Sequence, residues 1–294
     1  VGFVKVDRVI ETLKTVGHKI HSLSIIDATG QDASKCSKVG VLDFAAQCKN
    51  LHTLSLHANP DLKNVDDLVG CTSLHTLSLT CCPELTNING LRGCTRLHTL
   101  SLGGCTELAN VDDLEGCETL HTLDLRRCTK LVNVDYLKGC ISLHRLDIWE
   151  CPALANVNGL KWVKNLLTLN LGGCTLLRSM KGLEVCTSLH TLCILFCDAL
   201  DDVSALGGCT SLHELSLQGC TGLVNVSALG GCNKLHTLDL SGCTELVNVD
   251  DLKGCTSLRK LILQGCTKLA SVDGLKGCNK LHTLDLSGCT ELVN

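Results

Sequence analysis

The chain has 294 residues, enough for one or two globular domains. Hydrophobic residues make up 45% of it but aromatics only 2%, and a formal net charge of −4 offers no basic surface for nucleic acid. The longest bare apolar run near the middle, Leu192 to Phe196, is far short of the ~20 residues of a membrane span. Twenty-three cysteines, an odd and a high number, require an explanation.

In chain order, residues 1–50 read as a helical cap followed by an irregular first repeat. Val6, Val9, Ile10 and Leu13 mark one face of a short helix ending near Gly17. Ile20, Leu23 and Ile25 alternate as a strand does, and extra residues intervene before a register begins at Cys48. No signal peptide is visible. Val1 is not an initiator methionine, so the natural start is expected upstream.

From Leu51 onward one pattern repeats. Leu51, Leu74, Leu97, Leu120, Leu143, Leu166, Leu189, Leu212, Leu235, Leu258 and Leu281 each open a unit of 23 residues with the consensus LHTLDLSGCTELVNVDDLKGCTS. Positions 1, 4, 6, 9, 12, 15, 18 and 21 of the unit are apolar. Leu at 4 and 6 around a polar residue predicts a short strand. A turn follows, and Asp, Asn or Ser at position 16 predicts the N-cap of one short helical turn. One unit cannot bury its apolar face alone, whereas stacked units can, with strands ~4.8 Å apart in a parallel sheet. Residues 51–294 thus predict a curved α/β solenoid of eleven strand-bearing units, the last cut short at Asn294. The solenoid is expected to continue, and its open end offers a surface for association.

Leu235, Leu238, Leu240 and Cys243 spell Leu-x-x-Leu-x-Leu-x-x-Cys, so the chain from about residue 20 onward resembles the leucine-rich repeat family. The unit is most similar to the 23-residue cysteine-bearing repeats of trypanosomatid parasite proteins. The resemblance implies a parallel sheet on the concave face, short helical or 3-10 turns on the convex face, and binding of other proteins.

Ten cysteines occupy position 9 and ten occupy position 21; only Cys36, Cys81 and Cys193 stand elsewhere. A linear ladder lacks the local clustering that zinc requires, so no metal site and no cofactor are expected. The ladders read as small apolar side chains at the corners of each coil. That many unpaired thiols suits a reducing compartment, which places the protein in the cytoplasm or on the cytoskeleton. Histidine fills position 2 in all units but those with Leu167 and Arg259. The column reads as a consensus copied by duplication, as the identical segments 235–248 and 281–294 suggest; a metal-binding or pH-sensing ladder is the alternative.

Positions 3, 5, 7 and 8 face the concave side and are free to vary. In the C-terminal units opening at Leu235 and Leu281 they hold Thr, Asp, Ser and Gly; in the middle they hold Arg126, Arg127, Arg145, Asp147, Trp149, Glu150, Leu195 and Phe196. Arg126 is expected beside Trp149. Arginine and exposed aromatics in a polar surround are the usual composition of a protein-binding hot spot. On the convex side Trp162 and Val163 replace the usual Gly and Cys, where Trp162 either packs into a void or covers a second contact. Nothing in the chain resembles a phosphate loop, a paired-carboxylate site or a nucleophile triad. The expectation is a non-catalytic scaffold whose partner is another protein. The alternative is an extracellular ectodomain binding a host ligand or glycan.

Overall fold

The computed structural model describes residues 17, 19–26 and 39–292; of residues 25, 26 and 39–41 it describes the backbone alone. The helix expected over Val6 to Leu13, and Cys36, lie outside these. Twelve strands form one parallel sheet in strict sequence order, from β1 (Ser22–Ile26) and β2 (Thr53–His57) to β12 (Thr283–Asp285). Thr53 pairs with Thr76 and Thr76 with Thr99, so the register advances by one repeat per strand. Beyond β2 the strands are three residues long and carry an intermediate–buried–intermediate pattern in most coils. The solenoid predicted from the spacing is the solenoid observed.

The core is a single column of side chains. Leu at positions 1, 4 and 6, Cys at 9 and 21, Leu at 12 and 18 and Val or Ile at 15 are almost wholly buried from Leu51 to Leu269. Asn59 holds position 9 in the first unit and is buried too. At the N-terminal end an α-helix that the repeat pattern does not announce, α1 (Val39–Gln47), buries Leu42, Phe44 and Ala45 against the first coils.

The convex turns are 3-10 helices, such as Asp66–Gly70 and Asp250–Gly254. Their capping differs from the expectation. Position 16 is the first helical residue, position 15 is a valine or isoleucine without a capping side chain, and the capping group comes from position 14. Asn64 Oδ1 accepts the Asp66 N–H at 3.2 Å, and Asn133, Asn225 and Asn248 do the same two residues ahead. An Asn two residues before the turn can fold back on the chain, whereas an Asp already inside it cannot. Glycine at position 20 has a steric cause: a Cβ on Gly139 would lie 1.5 Å from the Glu115 carbonyl oxygen of the preceding coil. Trp162 and Val185 occupy that position in consecutive coils, and the second of these has no 3-10 turn. Trp162 is half exposed, with Lys161 Nζ 5.3 Å from the ring centroid.

A rim patch on the central coils as candidate functional site

The patch is built on a backbone feature shared by every coil. At the end of each strand, position 8 takes a left-handed conformation, with φ between 52° and 79° from Ala58 to Gly288. There its N–H donates to the position 7 carbonyl of the next coil, as Arg127 does to Trp149 at 2.7 Å and Phe196 to Gln218 at 2.8 Å. Six coils place glycine there, the residue that adopts this conformation without cost. Five do not: Ala58, Cys81, Arg127, Glu150 and Phe196. Each non-glycine in this region costs about 1–2 kcal/mol. Three of the five were singled out as candidate contact residues on composition alone.

Their side chains form a continuous strip. Arg127 Nε donates to Glu150 Oε2 at 2.6 Å, and its guanidinium carbon stands 5.6 Å from the Trp149 ring centroid. The arginine over the indole is Arg127, while Arg126 lines the same hollow as Trp149. Position 8 turns Arg127 along the rim, while Arg126 folds back on its own strand, Nε and Nη2 donating to the two carboxylate oxygens of Asp124 at 2.9 and 2.8 Å. Trp149 lies over the backbone of the next coil: a Cβ on Gly172 would meet its ring at 2.6 Å and the Leu195 Cβ at 3.4 Å. Phe196 leans over Gly219 in the same way, at 2.5 Å, and stays 54% exposed. Trp149 and Leu195 are half-buried.

Asp147 has a structural task within the patch. Its Oδ1 accepts the Trp149 N–H at 3.1 Å, as Asp124, Asn170, Asp239 and Asp285 do for the residues two ahead of them. Burial raises its pKa against the opposing hydrogen bond from Trp149 and the charge of Arg126. Arg145 is exposed on β6 (Arg145–Asp147) and makes no ion pair among the described residues. The surface is not flat. Arg127 forms a ridge between a hollow of about 400 Å³ floored by Gly103 and Gly104 and a second of about 460 Å³ bounded by Glu150 and Pro152. His57 closes the first hollow, its Nδ1 2.5 Å from the Thr80 hydroxyl.

The cysteine ladders do more than fill corners. Position 9 thiols donate to the position 6 carbonyl of the coil before: Cys105 to Leu79 at 3.2 Å, Cys151 to Leu125 at 3.1 Å, Cys243 to Leu217 at 3.2 Å. Position 21 thiols do the same to the position 18 carbonyl, as Cys255 does to Leu229 at 3.1 Å. Such carbonyls already accept a backbone N–H within their own coil, as Leu229 does from Cys232 at 2.9 Å, so the thiol takes the second lone pair. Regular spacing signalled burial but not this donation. Every described cysteine is a free thiol. Burial pushes the thiols up, Cys117 to about 11 and Cys140 and Cys220 to about 12. Such groups are poor nucleophiles at neutral pH. Cys81 is exposed and Cys193 half-buried.

No family model and no curated protein matches the sequence. Solved structures do. The leucine-rich repeat domain of the type III effector XopL aligns over 97% of this chain and 96% of its own, with 20% identity and a TM-score of 0.60. A leucine-rich repeat protein of Leptospira interrogans covers 83% of this chain over 68% of its own, at 22% identity and a TM-score of 0.57. Internalin C2 of Listeria monocytogenes covers 67% over 83% of its own, also at 22% and 0.57. The chain has the leucine-rich repeat fold.

Proposed function

We propose that the protein is a non-catalytic scaffold that binds another protein through the rim patch of its central coils. The carrying observation is the strain at position 8. Arg127, Glu150 and Phe196 occupy a left-handed backbone that six other coils give to glycine, and Phe196 is 54% exposed. None of these side chains fills the core, which is complete beneath them. Backbone strain held for exposed side chains belongs to sites where those side chains have a task. Arg and Trp beside hollows on both flanks of a ridge suit a partner that inserts side chains between them.

The chemistry present supports binding rather than catalysis. The thiols are held protonated, and the carboxylates of the patch are engaged by backbone N–H groups or arginines. A scaffold with so many free thiols suits a reducing compartment, in the cytoplasm or on the cytoskeleton. Among the described residues no helix is long and apolar enough to cross a membrane. The similarity of the unit to the repeats of trypanosomatid proteins accords with this reading.

The test is Trp149→Ala combined with Phe196→Ala, scored for folding by circular dichroism and for proteins that co-purify from the source cell. The double variant is expected to fold and to lose a partner that the parent retains, at a cost of about 2 kcal/mol or more in binding. If it keeps every partner while Trp162→Ala on the convex side loses one, the binding face is the other one.

A further inference from the structure

His21, His52, His75, His98, His121 and His144 stand in one column along the sheet edge, successive ring centroids lying 5.5, 5.2, 6.0, 4.4 and 5.0 Å apart. Leu167 interrupts the column, and His190, His213 and His236 form a second one at 5.0 and 5.1 Å. The planes of His98 and His121 differ by 10°, those of His121 and His144 by 1°.

The hydrogen bonds of these rings select a tautomer. Nδ1 lies 2.8 Å from the Ser73 carbonyl oxygen in His75, 3.4 Å from that of Arg96 in His98, 2.6 Å from that of Thr119 in His121 and 2.5 Å from that of Ser142 in His144. A carbonyl oxygen only accepts, so Nδ1 carries the proton of each neutral ring and Nε2 keeps its lone pair. Among the described residues no hydrogen bond engages these Nε2 atoms, and the rings are half-buried or exposed. A backbone carbonyl holding Nδ1–H while Nε2 is free is the arrangement a transition metal finds at a histidine ligand.

Two nitrogens at about 2.1 Å from a tetrahedral ion stand about 3.4 Å apart. The 4.4 Å between His98 and His121 separates their ring centroids and the rings are nearly parallel, so both turn about their side-chain bonds for the two Nε2 lone pairs to converge on one ion. Among the described residues no three His, Cys, Asp or Glu groups converge, so the protein supplies two ligands per ion and water completes the shell. We propose that the histidine column binds divalent transition-metal ions, each between the Nε2 atoms of two adjacent imidazoles, with His98 and His121 the tightest pair. Imidazole ligation selects Ni²⁺, Cu²⁺ and Zn²⁺ over Mg²⁺ and Ca²⁺. The buried thiols do not compete, since burial holds Cys94 and Cys140 protonated up to about 12.

The probe is NiCl₂, titrated calorimetrically into reduced protein at neutral pH in a Cys81→Ser background that removes the exposed thiol. His98→Gln with His121→Gln is expected to weaken the tightest binding by about tenfold or more, because both ligands of that ion are lost and the remaining stacked pairs stand 5.0 Å or more apart. His57→Gln with His282→Gln removes the same number of imidazoles, neither from a stacked pair, and is expected to leave that affinity unchanged. Equal losses in the two variants, or no loss in the first, overturn the proposal. Leu167 and Arg259 hold the same position in the native chain, so the fold tolerates substitution there. Should the first variant not fold, His213→Leu, which copies Leu167 into the shorter column, must lower the number of Ni²⁺ ions bound; an unchanged stoichiometry overturns the idea. Nitrogen-15 spectra supply an independent readout: protons on Nε2 rather than Nδ1 in the column would sink it.

Discussion

The coils that begin at Leu120, Leu143 and Leu189 share a core with those that begin at Leu235, Leu258 and Leu281, yet their rims are opposite in kind. At the end of its strand the first set places Arg127, Glu150 and Phe196; the second places Gly242, Gly265 and Gly288. The backbone is left-handed at all six. The conformation thus belongs to the fold, accompanied in every coil but the last by the hydrogen bond from position 8 to the next coil, while the side chain belongs to the local surface. Where nothing needs to be presented, glycine removes the strain. The central coils keep the strain and present an ion pair, an indole and a phenyl ring.

The largest test acts on what the two regions share. A thiol whose pKa is raised by folding keeps its proton in the native state while the unfolded chain ionises. Its contribution to stability is therefore complete below the ordinary thiol value of 9.0 and is lost as pH rises toward the folded values of about 11 to 12. Each thiol removes about 1.4 kcal/mol per pH unit in that window. A dozen together exceed the usual 5–15 kcal/mol stability of a domain, so both regions are expected to unfold together between about pH 9 and 11. Circular dichroism against pH checks this; a helical and sheet signal unchanged at pH 11 would show that the ladders are not buried as described.

A second test asks whether the two cores are equivalent. Leu171→Ala and Leu240→Ala remove the same side chain at position 6, both wholly buried. Each is expected to cost about 2–5 kcal/mol in denaturant unfolding. A difference between them larger than that spread would mean that the core, and not only the rim, distinguishes the regions.

Smaller effects separate the rims. Phe196→Gly relieves the left-handed strain and is expected to raise stability by about 1 kcal/mol while abolishing partner binding; Gly242→Phe is expected to lower it by a similar amount. If Phe196→Gly destabilises, Phe196 is a packing residue and the strain argument fails. The smallest expected effect is that of Gly172→Ala. The added methyl displaces Trp149, so indole fluorescence should shift while the unfolding midpoint changes little, at most about 1 kcal/mol. An unshifted spectrum would place the ring elsewhere.

The candidate patch was legible as a departure from consensus. Arg127, Trp149, Glu150 and Phe196 stand out because most other units hold small or uncharged polar residues in their places, Gly above all at position 8. Their arrangement was not legible. Arg126 and Arg127 are neighbours in sequence, and only the left-handed turn sends the second along the rim toward Trp149 while the first pairs with Asp124. The sequence named Asp147 as a contact residue but did not show that it also holds the Trp149 backbone. Asp113, buried on the convex side and paired with Arg92 at 2.7 Å, carried no signal, since Asp67 holds the same position exposed and Asp251 holds it half-buried.

The sequence by itself determined the period, the inward and outward sides of each strand, the order of strands and the burial of both cysteine ladders. In a solenoid a fixed offset along the chain is a fixed step in space, so periodicity is already three-dimensional information. Only the tertiary structure decided the rest: thiol protons aimed at carbonyls of the coil before, asparagine at position 14 rather than aspartate at 16 as the cap, a neighbouring carbonyl crowding position 20 in coils such as that of Gly139, and histidine protons placed on Nδ1. The asparagine and histidine bonds reach two residues along the chain, while the thiol bonds and the crowding at position 20 depend on how closely and at what angle one coil lies on the next. That distance is set by the packing of the whole stack, and no spacing within a single repeat encodes it.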